Sequence, residues 1–365
     1  VPLPGKSSPI VWGERVFLTG ATADAREIYC FDAVSGKILW RRDVASIESK
    51  TAEAPEVLKD TGFAAPTAVT DGQRVYAIFA NGDLACFDFV GAQVWVKNMG
   101  SFWNQYGHAS SLAMYQNLLV VLIDQGSDDE GRSALFAIDG RTGDTVWKIP
   151  RAVGSSWASP IVISTPLGEQ IITCASPWVA AYDPVTGAEI WRVNFKEGEV
   201  APSPIYASGL VFAVRADGDL TAIRPTGRGD VTQTHVAWTA YDGLPDICRP
   251  VGNEECVFLL TSDDGTLTCY DAREGRMLWE ASLDGIFLAS PSLVGDRLYL
   301  LNEKGVMIVL SAGREYKELG RAELRERVDA SPAFAGGRIY IRGEGHLYAI
   351  GSDSGGERER FSDVP

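Results

Sequence analysis

Ala137–Trp147 reads AIDGRTGDTVW, and Ala181–Trp191 reads AYDPVTGAEIW. Each passes from an apolar pair through Asp and a Gly-containing turn to Trp. Variants of the same phrase are IYCFDAVSGKILW (28–40), LACFDFVGAQVW (84–95) and LTCYDAREGRMLW (267–279). Upstream of each stands a small residue with Pro, a short apolar run, a Gly turn and a strand-like run, as in SSPIVWGERVFLTG (7–20). The separations are 31 (Pro9 to Trp40), 29 (Pro66 to Trp95), 31 (Pro160 to Trp191), 34 (Pro204 to Trp238) and 29 (Pro250 to Trp279). A third copy starts at Ser111 and ends at Trp147. Two further copies, ASPSLVGDRLYLLNEKGVMIVL (289–310) and ASPAFAGGRIYIRGEGHLYAIG (330–351), lack the Trp. Successive copies start 41 to 57 residues apart, which is the length of a four-stranded propeller blade.

The segments are short, rich in β-branched and aromatic residues, and bounded by turn dipeptides. Asn81-Gly82, Asp217-Gly218 and Asp264-Gly265 fall between the second and third strands, where a tight hairpin needs positive φ. The expected fold is all-β: an eight-bladed β-propeller of four-stranded antiparallel blades. It forms a single domain over 1–365, with blades starting near 7, 64, 110, 158, 202, 248, 289 and 330. A solenoid is set aside because nothing resembles a polar end cap. Twelve or 13 residues separate the repeat Trp from the next Ser-Pro (279 to 291, 147 to 160). Counting back from Pro9 places a missing Trp just before residue 1. The natural chain is therefore expected to extend upstream, with Val1–Leu3 the remnant of a closing strand. The tail GERERF (356–361) is the alternative, and either way the termini are expected to pair in one blade. Residues 45–62 form a longer polar loop, expected to be mobile.

Asp32, Asp88, Asp139, Asp183 and Asp271 precede the turns whose glycines are Gly36, Gly91, Gly143, Gly187 and Gly275. An Asp carboxylate accepts hydrogen bonds from turn amides just ahead of it, and Gly supplies the left-handed residue. Trp40, Trp95, Trp147, Trp191, Trp238 and Trp279 are large enough to fill the gap between blades, and each indole N–H then needs a partner. One Asp per blade favours structural use over paired-carboxylate catalysis.

The A-x-D-x-x-T-G-x-x-x-W pattern resembles the PQQ-like repeat, and eight copies resemble the eight-bladed PQQ-like propellers over nearly the whole chain. VPLPGKSSPIVWGERVFLTG (1–20), GSSWASPIV (154–162) and THVAW (234–238) are similar to bacterial, often planctomycete, envelope proteins. The chain also resembles the BamB type of outer-membrane assembly lipoprotein, which implies a protein-binding scaffold in the periplasm or at the cell surface. The same repeat occurs in quinoprotein dehydrogenases. Their PQQ stacks between a Trp and a ring of two adjacent disulfide-bonded cysteines, with calcium held by Glu, Asn and Asp. No two of the six Cys here are adjacent, and no such ligand set maps onto this chain, so no cofactor is expected, neither PQQ nor calcium.

The 48 acidic and 33 basic residues give a net charge of −15 over 365 residues. That sign disfavours nucleic acid and anionic membrane surfaces as partners. No apolar run approaches the ~18 residues of a membrane span. No signal-peptide pattern opens the chain, so an export signal is expected to have been removed or never to have existed. Cys30, Cys86 and Cys269 hold the same place in three blades and are expected as small buried hydrophobes, as is Cys174. Cys248 and Cys256 are the one close pair that a disulfide could join.

Catalytic signatures are missing: there is no GxSxG elbow and no Walker loop. His108, His235 and His346 lie in different blades at different strand positions, which argues against a zinc cluster. The loop Asp128-Asp129-Glu130-Gly131 is a solvated turn or, alternatively, a calcium loop. The segment SFWNQYGHASS (101–111) departs from the repeat and carries Trp103, Asn104, Tyr106 and His108. Trp157 enters blade 4 and Arg249 enters blade 6. Aromatics, amides and an Arg at a propeller funnel suit a sugar, a peptide or an aromatic ligand; as packing residues, Trp103 and Trp157 would instead fill blade junctions. Trp178 replaces a Gly-containing turn and either binds or packs. The expected function is a non-enzymatic interaction propeller of the bacterial envelope, monomeric, with a protein partner or a glycan at the funnel or loop face. The alternatives are a PQQ-dependent dehydrogenase and a carbohydrate-binding module.

Overall fold

The computed structural model describes residues 1–44, 57–59, 61–104 and 106–351. Eight antiparallel sheets follow one another along the chain, each a simple meander. Blade 3 is typical, with strands Ala113–Tyr115, Leu118–Ile123, Ala134–Asp139 and Thr145–Pro150. The short first strands neighbour one another around the ring, and that of blade 8 (Ala333–Ala335) lies beside that of blade 1 (Ile10–Trp12). The fold is an all-β, eight-bladed propeller. Among the described residues no helix is long and apolar enough to cross a membrane.

In blades 1 to 7 the second and third strands are mostly buried between neighbouring blades, whereas the third strand of blade 8, Leu347–Gly351, is partly exposed. The buried strands are therefore continuous apolar runs, such as LLVVLI (118–123), rather than alternating ones. The fourth strands are more exposed, from partly alternating in blade 3 to exposed throughout in blade 7. Seven blades carry this set of four strands, and blade 4 adds a fifth short one, Gly229–Asp230, parallel to Glu189–Asn194. Among the described residues blade 8 has three strands, ending at Leu347–Gly351. The expected closing strand at Val1–Leu3 does not form. The N-terminal ammonium of Val1 donates to Gly345 O of blade 8 at 3.5 Å, and the Leu3 amide donates to the Tyr29 hydroxyl of blade 1 at 3.0 Å. The tail 356–361 and most of the 45–62 loop lie outside the described residues.

Blades are joined at two radii. At the rim, four of the six repeat Trp lie against the Asp turn of the next blade. The indole N–H of Trp40 donates to Phe89 O (3.0 Å), that of Trp95 to Gly140 O (2.9 Å), that of Trp147 to Pro184 O and that of Trp238 to Ala272 O (both 3.2 Å). Each acceptor is the residue after a repeat Asp. The Asp shapes that turn: Asp139 Oδ1 accepts from the Arg141 and Thr142 amides at 2.7 and 3.2 Å. Asp32, Asp88, Asp183 and Asp271 bond their own turn amides in the same way. A Cβ on Gly143, at φ +79°, would sit 2.9 Å from the Trp95 ring. The glycine is thus required twice, by its dihedral and by the indole above it.

The residue paired with each Trp across the outer hairpin is small: Cys30, Cys86, Ala137, Ala181, Ala222 or Cys269. The register slips by one residue immediately after each of these positions. Cys and Ala interchange here because a small volume is what the bulged pair tolerates. All six cysteines are free and buried, so Cys248 and Cys256 form no bridge. The Cys248 thiol instead points at Phe287 O, 3.3 Å away.

At the inner radius a belt of hydroxyls links the blades. Backbone amides donate from Ser8 to Thr67 Oγ1, Thr67 to Ser111 Oγ, Ser111 to Ser159 Oγ and Ser159 to Ser203 Oγ, at 2.8–3.0 Å. The belt resumes from Arg249 to Ser290 Oγ and from Ser290 to Ser331 Oγ, at 3.0 and 2.9 Å.

Gly143→Ala should destabilise the protein by about 1–3 kcal/mol, since it combines a left-handed backbone with a clash on Trp95. Gly320→Ala, where a Cβ meets nothing within 4 Å, should be near neutral. Urea midpoints of the two variants measure the difference.

Candidate functional site

The insertion before blade 3 packs over the entrance to blades 3 and 4. Asn104 holds it there: its Nδ2 donates to Asp124 O and Ser156 O, both at 3.4 Å, and its carbonyl accepts from the Gly107 amide at 2.9 Å. This brings Tyr106 edge-on to Trp157, with ring centroids 4.8 Å apart at 74°. Trp157 is half-buried, and its indole N–H is buried without a partner. Tyr106, Trp157 and Asn104 therefore form one cluster.

The other three expected residues lie elsewhere. Trp103 is 67% exposed, pointing to the outer side of the insertion with the Arg132 guanidinium over its ring at 4.7 Å. His108 turns inward and stacks on Phe102 at 4.4 Å. Arg249 stands in the channel, at the belt position that carries a hydroxyl in the other seven blades. Its amide continues the belt, but its side chain offers Ser203 no acceptor, so the belt is interrupted there. The surrounding blades desolvate the guanidinium and lower its pKa. Trp178 is half-buried under the Arg192 guanidinium, 4.4 Å from the ring centroid.

The strongest polar site was not legible as a motif. Asp124 closes the second strand of blade 3, and Arg151 follows its fourth. Arg151 Nε and Nη2 reach the two Asp124 oxygens at 2.8 and 3.1 Å, and Nη1 donates to Thr173 Oγ1 (2.5 Å) and Tyr182 OH (2.8 Å) of blade 4. Ser156 Oγ also donates to Asp124, at 3.1 Å. Both charges are buried, and the paired carboxylate raises the arginine pKa despite its desolvation. The only trace in sequence is a charge ending an apolar run, LLVVLID. The bidentate pair fixes Arg151 within blade 3, and its Nη1 bonds to Thr173 and Tyr182 lock blade 3 to blade 4.

The donor set for a quinone cofactor with calcium is not assembled. Among the described residues no group of three or more His, Cys, Asp or Glu side chains is placed to hold a metal ion. Glu130 pairs with Arg132 at 3.0 Å, and Asp129 accepts from Ser127, so the 128–131 loop is a solvated turn. No two cysteines are adjacent in sequence, and the edge of Tyr106 packs against Trp157. The residues present do not fit PQQ and calcium.

Fold and repeat together define a PQQ-like-repeat β-propeller. The chain belongs to the family whose model is described as outer membrane protein assembly factor BamB, which matches residues 4–150, 131–249 and 232–360. Its three overlapping matches follow from the internal repeat. Curated relatives named outer membrane protein assembly factor BamB include that of Alkalilimnicola ehrlichii, 28% identical over 223 residues, covering 61% of this chain and 52% of the relative. That of Moranella endobia is 24% identical over 192 residues, covering 52% and 41%. The matches thus span about half or less of the relatives' length. Among solved structures, BamB from Moraxella catarrhalis superposes with a TM-score of 0.68 at 15% identity, covering 98% of each chain. A europium-containing methanol dehydrogenase gives 0.66 at 12% identity, covering 93% of this chain and 82% of the other. At these identities the superpositions define the fold alone.

Asp124→Ala leaves the Arg151 charge buried and unpaired and should destabilise the protein by about 3–5 kcal/mol, read from urea unfolding. His108 gives a pH signature. Burial pulls its pKa down to about 4, and its Nε2 has no partner. The unfolded chain takes up this proton near pH 6.5, the folded chain only near 4. Stability is therefore complete above about pH 6.5 and falls by up to roughly 3 kcal/mol as the pH drops to 4. His108→Phe should remove that slope, measured as urea midpoints at pH 7 and pH 4.5.

Proposed function

We propose that this propeller is a non-enzymatic protein-interaction scaffold of the bacterial envelope, acting in outer-membrane protein assembly. The observation that carries the reading is the family match along almost the whole chain, joined to a site chemistry that lacks converging titratable groups. The surface supports a protein partner. Val34, Val90 and Val185 are 61%, 72% and 60% exposed at equivalent places in the Asp turns of blades 1, 2 and 4. Apolar side chains repeated at one end of neighbouring blades suit a partner segment laid across the rim. The Tyr106–Trp157 cluster is the second candidate contact, at the channel side. The periplasm or cell surface is the compartment that this role implies.

The test is deletion of the gene in its own host, with assembled outer-membrane β-barrel proteins measured on semi-native gels. A drop of severalfold, restored by the wild-type chain and not by a Val34→Asp, Val90→Asp, Val185→Asp variant of wild-type melting temperature, is the expected result. An unchanged barrel profile would reject the role. Titration with PQQ and calcium, followed by tryptophan fluorescence, should show no saturable quenching.

A further inference from the structure

A cavity of about 450 Å³ opens between blades 8 and 1. Leu3, Pro4, Ala21, Phe63 and Ala330 give it a largely apolar wall, and Arg342 lies in its floor. Arg342 is 5% exposed. Its Nη1 donates to Ser7 O (3.2 Å), Ser7 Oγ (2.8 Å) and Thr19 O (2.9 Å). These bonds tie blade 8 to blade 1 where the hydroxyl belt makes no step. Nε and Nη2 have no hydrogen bond, and the residue has no ion pair, among the described residues.

The contrast with Arg151 is direct. Both guanidiniums are buried at a blade junction. Arg151 has a carboxylate built in and its pKa rises; Arg342 has none, and desolvation pushes its pKa down to about 10. An isolated buried charge is costly. Among the described residues two carboxylates line the cavity: Asp329 is engaged by Lys6 and by Arg327 Nε at 3.0 Å, and Glu344 makes no ion pair with Arg342. Lys6, Lys59, Arg327 and Arg342 set four cationic side chains against these two carboxylates, which makes it a locally cationic recess on a chain of net charge −15. Such a recess concentrates anions. Gly5 leaves the approach open: a Cβ there would stand 2.7 Å from Arg342 Nη2.

We propose that this cavity binds the carboxylate of a ligand with an apolar body, the carboxylate completing Arg342 as Asp124 completes Arg151. The apolar body would lie on Leu3, Phe63 and Ala330. The volume suits a small organic acid or the terminal residues of a peptide. This inference is independent of the assembly role.

The experiment is calorimetric titration of the full chain at pH 7 with hexanoate and hexanamide, and with Gly-Gly-Leu and its C-terminal amide. Saturable binding of an acid, at least tenfold tighter than its amide, is expected. Hexanoate alone would identify a free acid as the ligand; binding of the peptide acid would identify a chain terminus. Arg342→Gln should weaken binding at least tenfold. Because that residue also joins two blades, Pro4→Asp is the second variant: it sets a competing carboxylate at an exposed wall position and should weaken binding as much without lowering the melting temperature. No saturable binding of either acid, equal binding of acid and amide, or wild-type affinity in Pro4→Asp would overturn the proposal and leave Arg342 as a latch between blades.

Discussion

The rest of the molecule depends on the contact between the indole of one blade and the glycine turn of the next. A propeller blade cannot bury both faces of its middle strands alone, and stacking the blades supplies the missing surface. The indole fixes how they stack. Its ring covers a turn that has no side chain, and its N–H takes the carbonyl just past the Asp. The Asp in turn binds the amides that hold that carbonyl in place. Asp, Gly and Trp are therefore one device divided between two blades. The bulge and the small residue facing each Trp exist to let the indole lean across.

Where the device is missing, the chain substitutes for it. Blade 5 has Arg224-Pro225 in place of the Asp turn. Trp191 then donates to Gln170, and Gln170 reaches Pro225 O, so a side-chain amide bridges the gap. The insertion 227–235 covers the same indole, with Val231 in its core cluster and Gly229–Asp230 pairing alongside. This makes Trp191 the one fully buried repeat Trp. Blade 7 has Gly320 where the Trp would stand, facing Val309. Between blades 8 and 1 the link is made by Arg342, by the Lys6–Asp329 pair and by Tyr340 OH on Ala33 O. These polar contacts close the ring together with an apolar cluster that packs Val16, Leu18 and Phe31 of blade 1 with Tyr340 of blade 8.

This construction suits a scaffold. The blades are locked at rim and channel, so the turns and insertions at either end stand at fixed separations. A partner meets a preformed surface and little ordering entropy is lost on binding. The same fold occurs in a methanol dehydrogenase, and catalysis of that kind needs functional groups converging on one site. Here, among the described residues, no group of three or more His, Cys, Asp or Glu side chains is placed to hold a metal ion, and the belt hydroxyls accept from backbone amides.

The sequence by itself determined the blade count, the strand order and the role of the Asp, Gly and Trp residues. Each of these is a local pattern repeated at a fixed period, and repetition makes a weak local signal additive. It also located the departure at 101–111. It did not determine which residues of that segment meet: Tyr106 reaches Trp157, while His108 turns into the core and Trp103 faces out. Neither did it reveal the Asp124–Arg151 pair, the hydroxyl belt or the cavity over Arg342. Those join residues from different blades or, for Asp124 and Arg151, from distant strands of one blade, so their partners are set by how the strands and the ring pack. A buried arginine reads the same in sequence whether a carboxylate faces it or a cavity does. Only the tertiary structure separates Arg151 from Arg342, because burial and charge pairing are properties of the space around a side chain.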